Sequence, residues 1–276
     1  MQAKRFYTVS LIIGFLALMI RIYPIAAQNT GDIPQIVIEI SADGPALPEG
    51  MPEGAVHVTF ANNSEAQFDP LIIRLNEGVT YEALGAALEE GGEDAALPLV
   101  SLLGGLELTP GETNDAIFDF APGAYLLVND ATEDPSLFPF TVLDGEGEGA
   151  TPPDADVEIT LVDFAFDVPI AITTGPLVWH LQNEGEQPHH MIIVPLEDDM
   201  TPGKFNEYLL QLLAGEEVEG PEPIGGWSVM SPGEQVWITF DLEPGTYALV
   251  CVLPDEEGSG HVHAELGMRQ FINVTE

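Results

Sequence analysis

The feature that most constrains the fold of this chain is an internal repeat. Residues 54–75 (GAVHVTFANNSEAQFDPLIIRL) resemble residues 174–196 (TGPLVWHLQNEGEQPHHMIIVPL). Further along, residues 109–129 (TPGETNDAIFDFAPGAYLLVN) resemble residues 231–251 (SPGEQVWITFDLEPGTYALVC). Two matching blocks at nearly the same spacing indicate two copies of one structural unit in tandem.

The repeated segments are typical of short β-strands. VEITLVDFAFDV, QVWITFDL and TYALVCVL are rich in β-branched and aromatic residues, and Pro-Gly pairs mark turns between such runs. Each copy is long enough for one β-sandwich. We therefore expect an all-β fold with two sandwiches in tandem.

Each copy also predicts one short helical insert. In the first copy, Thr80 is the expected N-cap of a helix over residues 81–90. In the second copy, Thr201 and Pro202 begin a helix whose apolar residues recur at every fourth position: Phe205, Leu209 and Leu213.

The chain is divided into four predicted segments. The stretch GEGEGATPPDAD has no hydrophobic periodicity and is typical of a linker between domains. The segments are residues 1–27 (signal peptide or anchor), 32–145 (first sandwich), 146–155 (linker) and 156–276 (second sandwich).

The N-terminus has the pattern of an export signal. Lys4 and Arg5 precede a nearly continuous apolar run over residues 9–20, and small residues follow it. The run is shorter than the ~20 residues that span a bilayer comfortably. We expect cleavage after Ala27 and a protein exported to the periplasm, the cell surface or the medium. The alternative is an uncleaved segment that anchors the chain in a membrane.

The charge of the chain limits its partners. It has 46 acidic residues against 6 basic ones, a net charge of −40. Such a surface repels nucleic-acid phosphates and anionic lipid headgroups, so neither is an expected ligand. It attracts cationic partners instead. The single cysteine, Cys251, excludes an internal disulfide.

The two copies differ at the residues that are able to bind metals. Five of the six histidines lie in the second copy. With Asn63 aligned to Asn183, His189 replaces Asp69, and Cys251 replaces Asn129. Two imidazoles, one thiolate and one thioether are the ligand set of a mononuclear copper electron-transfer centre. Taken singly, a buried Cys, Met or His is also typical of an ordinary protein core.

Four residues of the second copy carry a resemblance to a known family. Pro188-His189 before an apolar strand, and the Cys251…His263-x4-Met268 loop, resemble the ligands of the cupredoxins, the blue (type 1) copper proteins. The loop between Cys251 and His263 is longer than in the small members of that family. The resemblance covers residues from about 155 to 276, and the repeat extends the fold to the first copy.

The resemblance implies two tandem cupredoxin-like Greek-key sandwiches, of which only the second binds copper. Its ligands would be His189, Cys251, His263 and Met268. His190, on the opposite face of its strand from His189, would brace the ligand loop without touching copper. His261 is the alternative ligand to His263, because the two point the same way if the loop is extended.

The function that the resemblance implies is that of an exported electron carrier. Electrons would pass through a partly exposed ring of His263 to a redox partner with a basic docking surface. One alternative is a copper-free binding or assembly module. The other, a multicopper oxidase or nitrite reductase, is disfavoured because such enzymes need further histidines, and the first copy offers only His57. We therefore do not expect an enzyme.

Overall fold

The structure, a computed structural model, describes residues 33–132, 135–145, 149–197 and 199–276. The predicted signal peptide or anchor, residues 1–27, lies outside the described residues, as does part of the predicted linker. Among the described residues, no helix has the length and apolar character that a membrane span requires.

The fold is built almost entirely from β-strands, as the sequence predicts. The strands of the first half are β1 (Gln35–Ser41), β2 (Gly44–Pro45), β3 (Met51–Pro52), β4 (Gly54–Asn62), β5 (Pro70–Leu75), β6 (Val100–Gly105), β7 (Thr113–Phe120), β8 (Gly123–Asn129) and β9 (Ser136–Leu143). Those of the second half are β10 (Val157–Val162), β11 (Ala165–Asp167), β12 (Ala171–Thr173), β13 (Gly175–Asn183), β14 (His189–Leu196), β15 (Gly225–Met230), β16 (Gln235–Leu242), β17 (Gly245–Val250) and β18 (Arg269–Thr275).

The helical inserts lie where the sequence predicts them. Helix α1 (Tyr81–Gly91) is capped by Thr80, whose side chain accepts a hydrogen bond from the N–H of Ala83. It is followed by α2 (Glu93–Ala96) and a short 3₁₀ turn (Leu97–Leu99). Helix α3 (Pro202–Leu213) is capped by Thr201. The four-residue helix α4 (His263–Leu266), in the loop after β17, is not predicted by the sequence pattern.

The strands form one shared sheet and two separate ones. The shared sheet has eight strands in the order β11-β10-β13-β16-β7-β4-β1-β2 and contains strands of both halves. Each half adds its own five-stranded sheet, in the order β3-β9-β8-β5-β6 in the first half and β12-β18-β17-β14-β15 in the second. Each half is thus a two-layer sandwich, and one layer runs on into the other half.

Antiparallel pairing of β7 with β16 joins the halves, with Ile117 opposite Trp237. The apolar core is continuous across this joint, and the rings of Phe118 and Trp227 lie 5.8 Å apart. The indole N–H of Trp227 donates to the carbonyl of Leu103 at 3.1 Å. A Cβ at Gly104 would lie 2.0 Å from this indole nitrogen, so close packing of the halves requires glycine there.

The structure corrects the alignment of the first repeat block by one residue. The side-chain amide of Asn183 donates to the carbonyls of Gln187 and Met230, and Asn62, not Asn63, makes the equivalent bonds in the first half. The two asparagines close equivalent turns. Alignment by residue identity alone does not detect this equivalence, because it depends on hydrogen bonds.

An ion pair also crosses between the halves. The guanidinium of Arg74 bonds the carboxylate of Glu234, whose side chain is only 10% exposed. Burial raises the pKa of Glu234, and the charge of Arg74 opposes that rise. The pair therefore satisfies a carboxylate that the joint has largely removed from water.

We expect Arg74→Met to lower the free energy of unfolding by about 2–4 kcal/mol, because it leaves the Glu234 carboxylate desolvated without its cation. Urea denaturation measures this loss. The double variant Arg74→Met/Glu234→Gln should recover most of it, since it removes both charges. A double variant as unstable as Arg74→Met would contradict this account.

Candidate metal centre

Three of the four predicted ligands converge on one buried point. The donor atoms of His189, Cys251 and His263 all lie within 4.8 Å of one another. The two Nδ1 atoms are 3.0 Å apart, and the sulfur of Cys251 is 3.5 Å from Nδ1 of His263. All three residues are 0% exposed.

The strand order brings these residues together from distant parts of the chain. Strands β14 and β17 are antiparallel neighbours, so His189 at the start of β14 lies beside Cys251 at the end of β17. The loop after Cys251 then returns to the site. The N–H of His263 donates to the carbonyl of Leu253 at 2.8 Å and fixes the place where that loop re-enters.

Met268 lies beside this cluster, and its role as the axial ligand stays a prediction. It is fully buried and belongs to the same apolar core as Cys251. Its carbonyl accepts a hydrogen bond from the N–H of Cys251 at 3.1 Å, and its N–H donates to the carbonyl of His263 at 2.8 Å. The backbone therefore holds Met268 next to both residues.

The outer nitrogens of both histidines are held by acceptors. Nε2 of His189 lies 3.0 Å from Oδ1 of Asp163, and Nε2 of His263 lies 3.2 Å from Oε1 of Gln187. The orientation of the Gln187 amide is set by its neighbours, because its Oε1 also accepts from the N–H of Glu256 and its Nε2 donates to Asp255. Both imidazoles are thus arranged to carry their proton on Nε2.

This arrangement suits a metal ion. With protons on Nε2, the lone pairs of the two Nδ1 atoms face one another at 3.0 Å. A cation between them turns this repulsion into coordination. Two imidazoles, a thiolate and a thioether are a donor set that is typical of copper. The residues present therefore fit a copper centre.

Burial keeps these ligands neutral before a metal binds. It lowers the pKa of His189 and of His263, so that both rings are in the form that coordinates metals. Burial also raises the pKa of the Cys251 thiol to about 11. At neutral pH the cysteine is a thiol, and binding of a metal must displace its proton.

His190, the second residue of β14, contacts Cys251 and Val252. Its N–H points at the sulfur of Cys251 at 3.5 Å, and its ring Nε2 accepts the N–H of Val252 at 2.8 Å. Burial, together with the charges of His263 and His189, lowers the pKa of His190 to about 3. The neutral ring can therefore accept that hydrogen bond at ordinary pH.

Two expectations about the ligand loop are corrected. His261 does not join the cluster, because the loop is not extended at this point: it turns into α4 at His263. The side chain of His261 is 56% exposed and pairs with Glu265 at 3.3 Å. The ring of His263 is not partly exposed either. Gln187 and the ring of Phe164, in edge contact at a centroid distance of 5.4 Å, cover it.

Asp163 and Gln187 belong to the site but are not predicted by the sequence pattern, whereas Asp255 lies in the loop after Cys251, where negative charge near the metal is expected. Asp163 lies at a turn and Gln187 in a polar loop. A signal was present only for Gln187, which lies two residues before His189.

The first half shows what the site becomes without ligands. The N–H of Asp69 donates to Oδ1 of Asn129, just as the N–H of His190 points at the sulfur of Cys251. Asp69 therefore corresponds to His190, and the residue equivalent to His189 is Phe68 rather than Asp69. Phe68 is 4% exposed and packs on Phe138. An apolar ring therefore occupies the position of the His189 imidazole.

Comparisons with known proteins give weak similarities to copper proteins. No protein-family model matches the sequence, and no curated protein is significantly similar to it. Reduced auracyanin from the photosynthetic bacterium Roseiflexus castenholzii is 25% identical over 43% of this chain and 95% of its own, with a TM-score of 0.31. Auracyanin A of Chloroflexus aurantiacus, a "blue" copper protein, is 18% identical over 43% and 99%, with a TM-score of 0.29. A multicopper oxidase is 16% identical over 87% and 88%, with a TM-score of 0.26.

The second half is a β-sandwich that buries a His–Cys–His group, a set of donors that is able to bind copper. The pairing of the neighbouring strands β14 and β17 brings His189 and Cys251 together.

Replacement of His190 by asparagine should make the metal-free protein less sensitive to acid. Unfolded histidine binds a proton below about pH 6.5, whereas the native ring stays neutral down to about pH 3. The unfolded state therefore binds more protons in this window, and acidification destabilises the native state. Asparagine keeps an acceptor for Val252 but does not titrate.

Urea denaturation of the wild type and of His190→Asn at two pH values tests this expectation. Between about pH 7 and about pH 5, the wild type should lose about 2 kcal/mol more stability than the variant. The other site histidines are present in both proteins, so their contributions cancel. Equal losses in the two proteins would show that His190 titrates normally.

Proposed function

We propose that this chain is an exported electron carrier whose second half binds one copper ion through His189, Cys251 and His263, with Met268 as the axial ligand. The observation that carries the proposal is the convergence of two Nδ1 atoms and one sulfur on a buried point. Copper bound there would supply a one-electron couple between Cu(II) and Cu(I).

The protein's contribution to such a couple is rigidity. His189 and Cys251 are attached to paired strands, and His263 is held by backbone bonds on both sides of it. The outer nitrogens of both rings are bonded as well. A frame of this kind prevents the donors from rearranging between oxidation states, which keeps the barrier to electron exchange low.

The other histidines support a carrier rather than a multicopper enzyme. His57 bonds Asp115 at 2.5 Å, and His180 lies between Glu158 and Gln235 while its ring stacks on Trp237 at 4.2 Å. In the described part of the chain, the group at His189, Cys251 and His263 is the one cluster of this kind.

Copper reconstitution tests the proposed function. The purified chain should take up one copper per molecule and develop an intense visible band from the thiolate–copper bond. Cys251→Ser should abolish that band and weaken copper binding by more than about tenfold. His261→Asn is the matched control, because this exposed imidazole lies outside the cluster. A colourless wild-type protein would favour a copper-free binding module instead.

We also propose that the redox partner has a basic docking surface and meets the loop that follows Cys251. Gln187 links the ligand His263 to the backbone of Glu256, and the side chains of Glu256 and Glu257 are exposed. The backbone of Glu256 is therefore separated from a proposed ligand by one side chain, Gln187, and two exposed acidic residues lie at this point of the loop. A cationic partner would be attracted to that point over about one Debye length, ~8 Å at physiological salt.

Electron exchange with small charged reagents measures this attraction. Oxidation of the reduced protein by hexaammineruthenium(III) should slow by about two- to tenfold in Glu256→Gln/Glu257→Gln, and the effect should fade as salt is added. Oxidation by anionic hexacyanoferrate(III) should become faster. Glu89→Gln/Glu90→Gln, at the exposed end of α1, removes equal charge from the first half and serves as the control. Equal effects of the two double variants would contradict docking at this loop.

A further inference from the structure

The turn between β10 and β11 touches both proposed imidazole ligands. It consists of Asp163 and Phe164, because Val162 is already paired with Ala165. Asp163 bonds the His189 ring, and Phe164 packs edge-on against the His263 ring. Phe164 has a φ of 65°, a left-handed conformation that is unfavourable for a bulky residue. The surrounding structure thus holds this turn in one specific shape.

The carboxylate of Asp163 is fixed independently of the histidine. The N–H of Glu186 donates to both of its oxygens, at 3.0 and 3.1 Å, and the N–H of Gln187 donates to Oδ1 at 3.2 Å. The group is therefore an oriented anion.

The chain also leaves space for this contact. A Cβ at Gly185 would lie 2.5 Å from Oδ1 of Asp163 and 2.6 Å from Nε2 of His189. Any side chain at this position would collide with the hydrogen bond between them. The glycine is therefore part of the same arrangement as the carboxylate and the imidazole.

The first half lacks this arrangement. Its corresponding turn, between β1 and β2, consists of Ala42 and Asp43, because Ser41 is paired with Gly44. Ala42 thus occupies the turn position that Asp163 occupies in the second half. The first half therefore has Phe68 and Ala42 at the two positions where the second half has His189 and Asp163.

We propose that Asp163 is a positioning residue of the copper site: it holds His189 in the tautomer that presents Nδ1 to the metal, and its charge favours Cu(II) over Cu(I). The inference rests on the proposed copper function. A carboxylate on the outer nitrogen makes the imidazole a stronger donor. Because the site is buried, its negative charge also stabilises the more highly charged ion.

Asp163→Ala tests the proposal. Alanine is the residue at the equivalent turn position of the first half, Ala42, so the turn is able to contain it. The variant's affinity for Cu(II), measured by competition with a chelator, should fall about 10- to 100-fold, and its affinity for Cu(I) should fall less. Each tenfold difference between the two affinities raises the reduction potential by about 59 mV. Unchanged affinities and potential would overturn the proposal.

Glu186→Gln separates positioning from charge alone. It removes one negative charge beside Asp163, but the Glu186 side chain is exposed and only its backbone N–H makes the bond. The proposal predicts a much smaller change in potential than in Asp163→Ala. Equal changes would show that Asp163 acts only as one more charge.

Nuclear magnetic resonance of the ¹⁵N-labelled, metal-free protein tests the tautomer without copper. His189 should carry its proton on Nε2 in the wild type and populate both tautomers in Asp163→Ala. Gly185→Ala should have the same effect with the carboxylate still present. A wild-type His189 protonated on Nδ1 would overturn the inference. If the wild type shows the predicted tautomer but does not bind copper, the proposed function is wrong and the positioning of His189 by Asp163 still holds.

Discussion

The pairing of β14 with β17 is the interaction on which the candidate site depends. It places the start of one strand, His189, beside the end of the other, Cys251, although the two are far apart in sequence. The N–H of His190 then points at the cysteine sulfur, and the His190 ring holds the next backbone N–H, at Val252. A shift of one residue in the pairing of β14 with β17 would move the His189 side chain to the opposite face of the sheet. His189 would then no longer contact Cys251 and His263.

The two halves share residues that build the sandwich and differ at residues of the candidate metal site. Both halves keep the turn asparagine, Asn62 or Asn183, with the same bonds. Each half also has a tyrosine in its own five-stranded sheet, Tyr125 or Tyr247. The hydroxyl of this tyrosine donates to the carbonyl of the residue four positions earlier. The ligands are not kept. Phe68 occupies the position of His189. The first half therefore has a buried apolar ring at the point where the second half has an imidazole of the candidate metal site.

Three kinds of contact join the halves. The shared eight-stranded sheet, the continuous core at Phe118 and Trp227, and the ion pair between Arg74 and Glu234 all cross the joint. Glu234 also accepts, through its carbonyl, the N–H of Asn183, which begins the loop that carries Gln187 to the site. The first half thus supports the elements that position His189 and Gln187.

The sequence alone determined the class of the fold, the two helical inserts and the three residues that form the buried cluster, His189, Cys251 and His263. These follow from local chemistry: alternating β-branched residues, a threonine cap before each helix, and a single cysteine and a group of histidines in the second copy. The tertiary structure decided the rest. The sharing of a sheet, the equivalence of His189 with Phe68, the exclusion of His261 and the burial of His263 by Gln187 and Phe164 all depend on contacts between distant segments. Composition and spacing do not encode such contacts, because hydrogen-bond partners such as Asp163 are ordinary polar residues until the fold brings them to the ring.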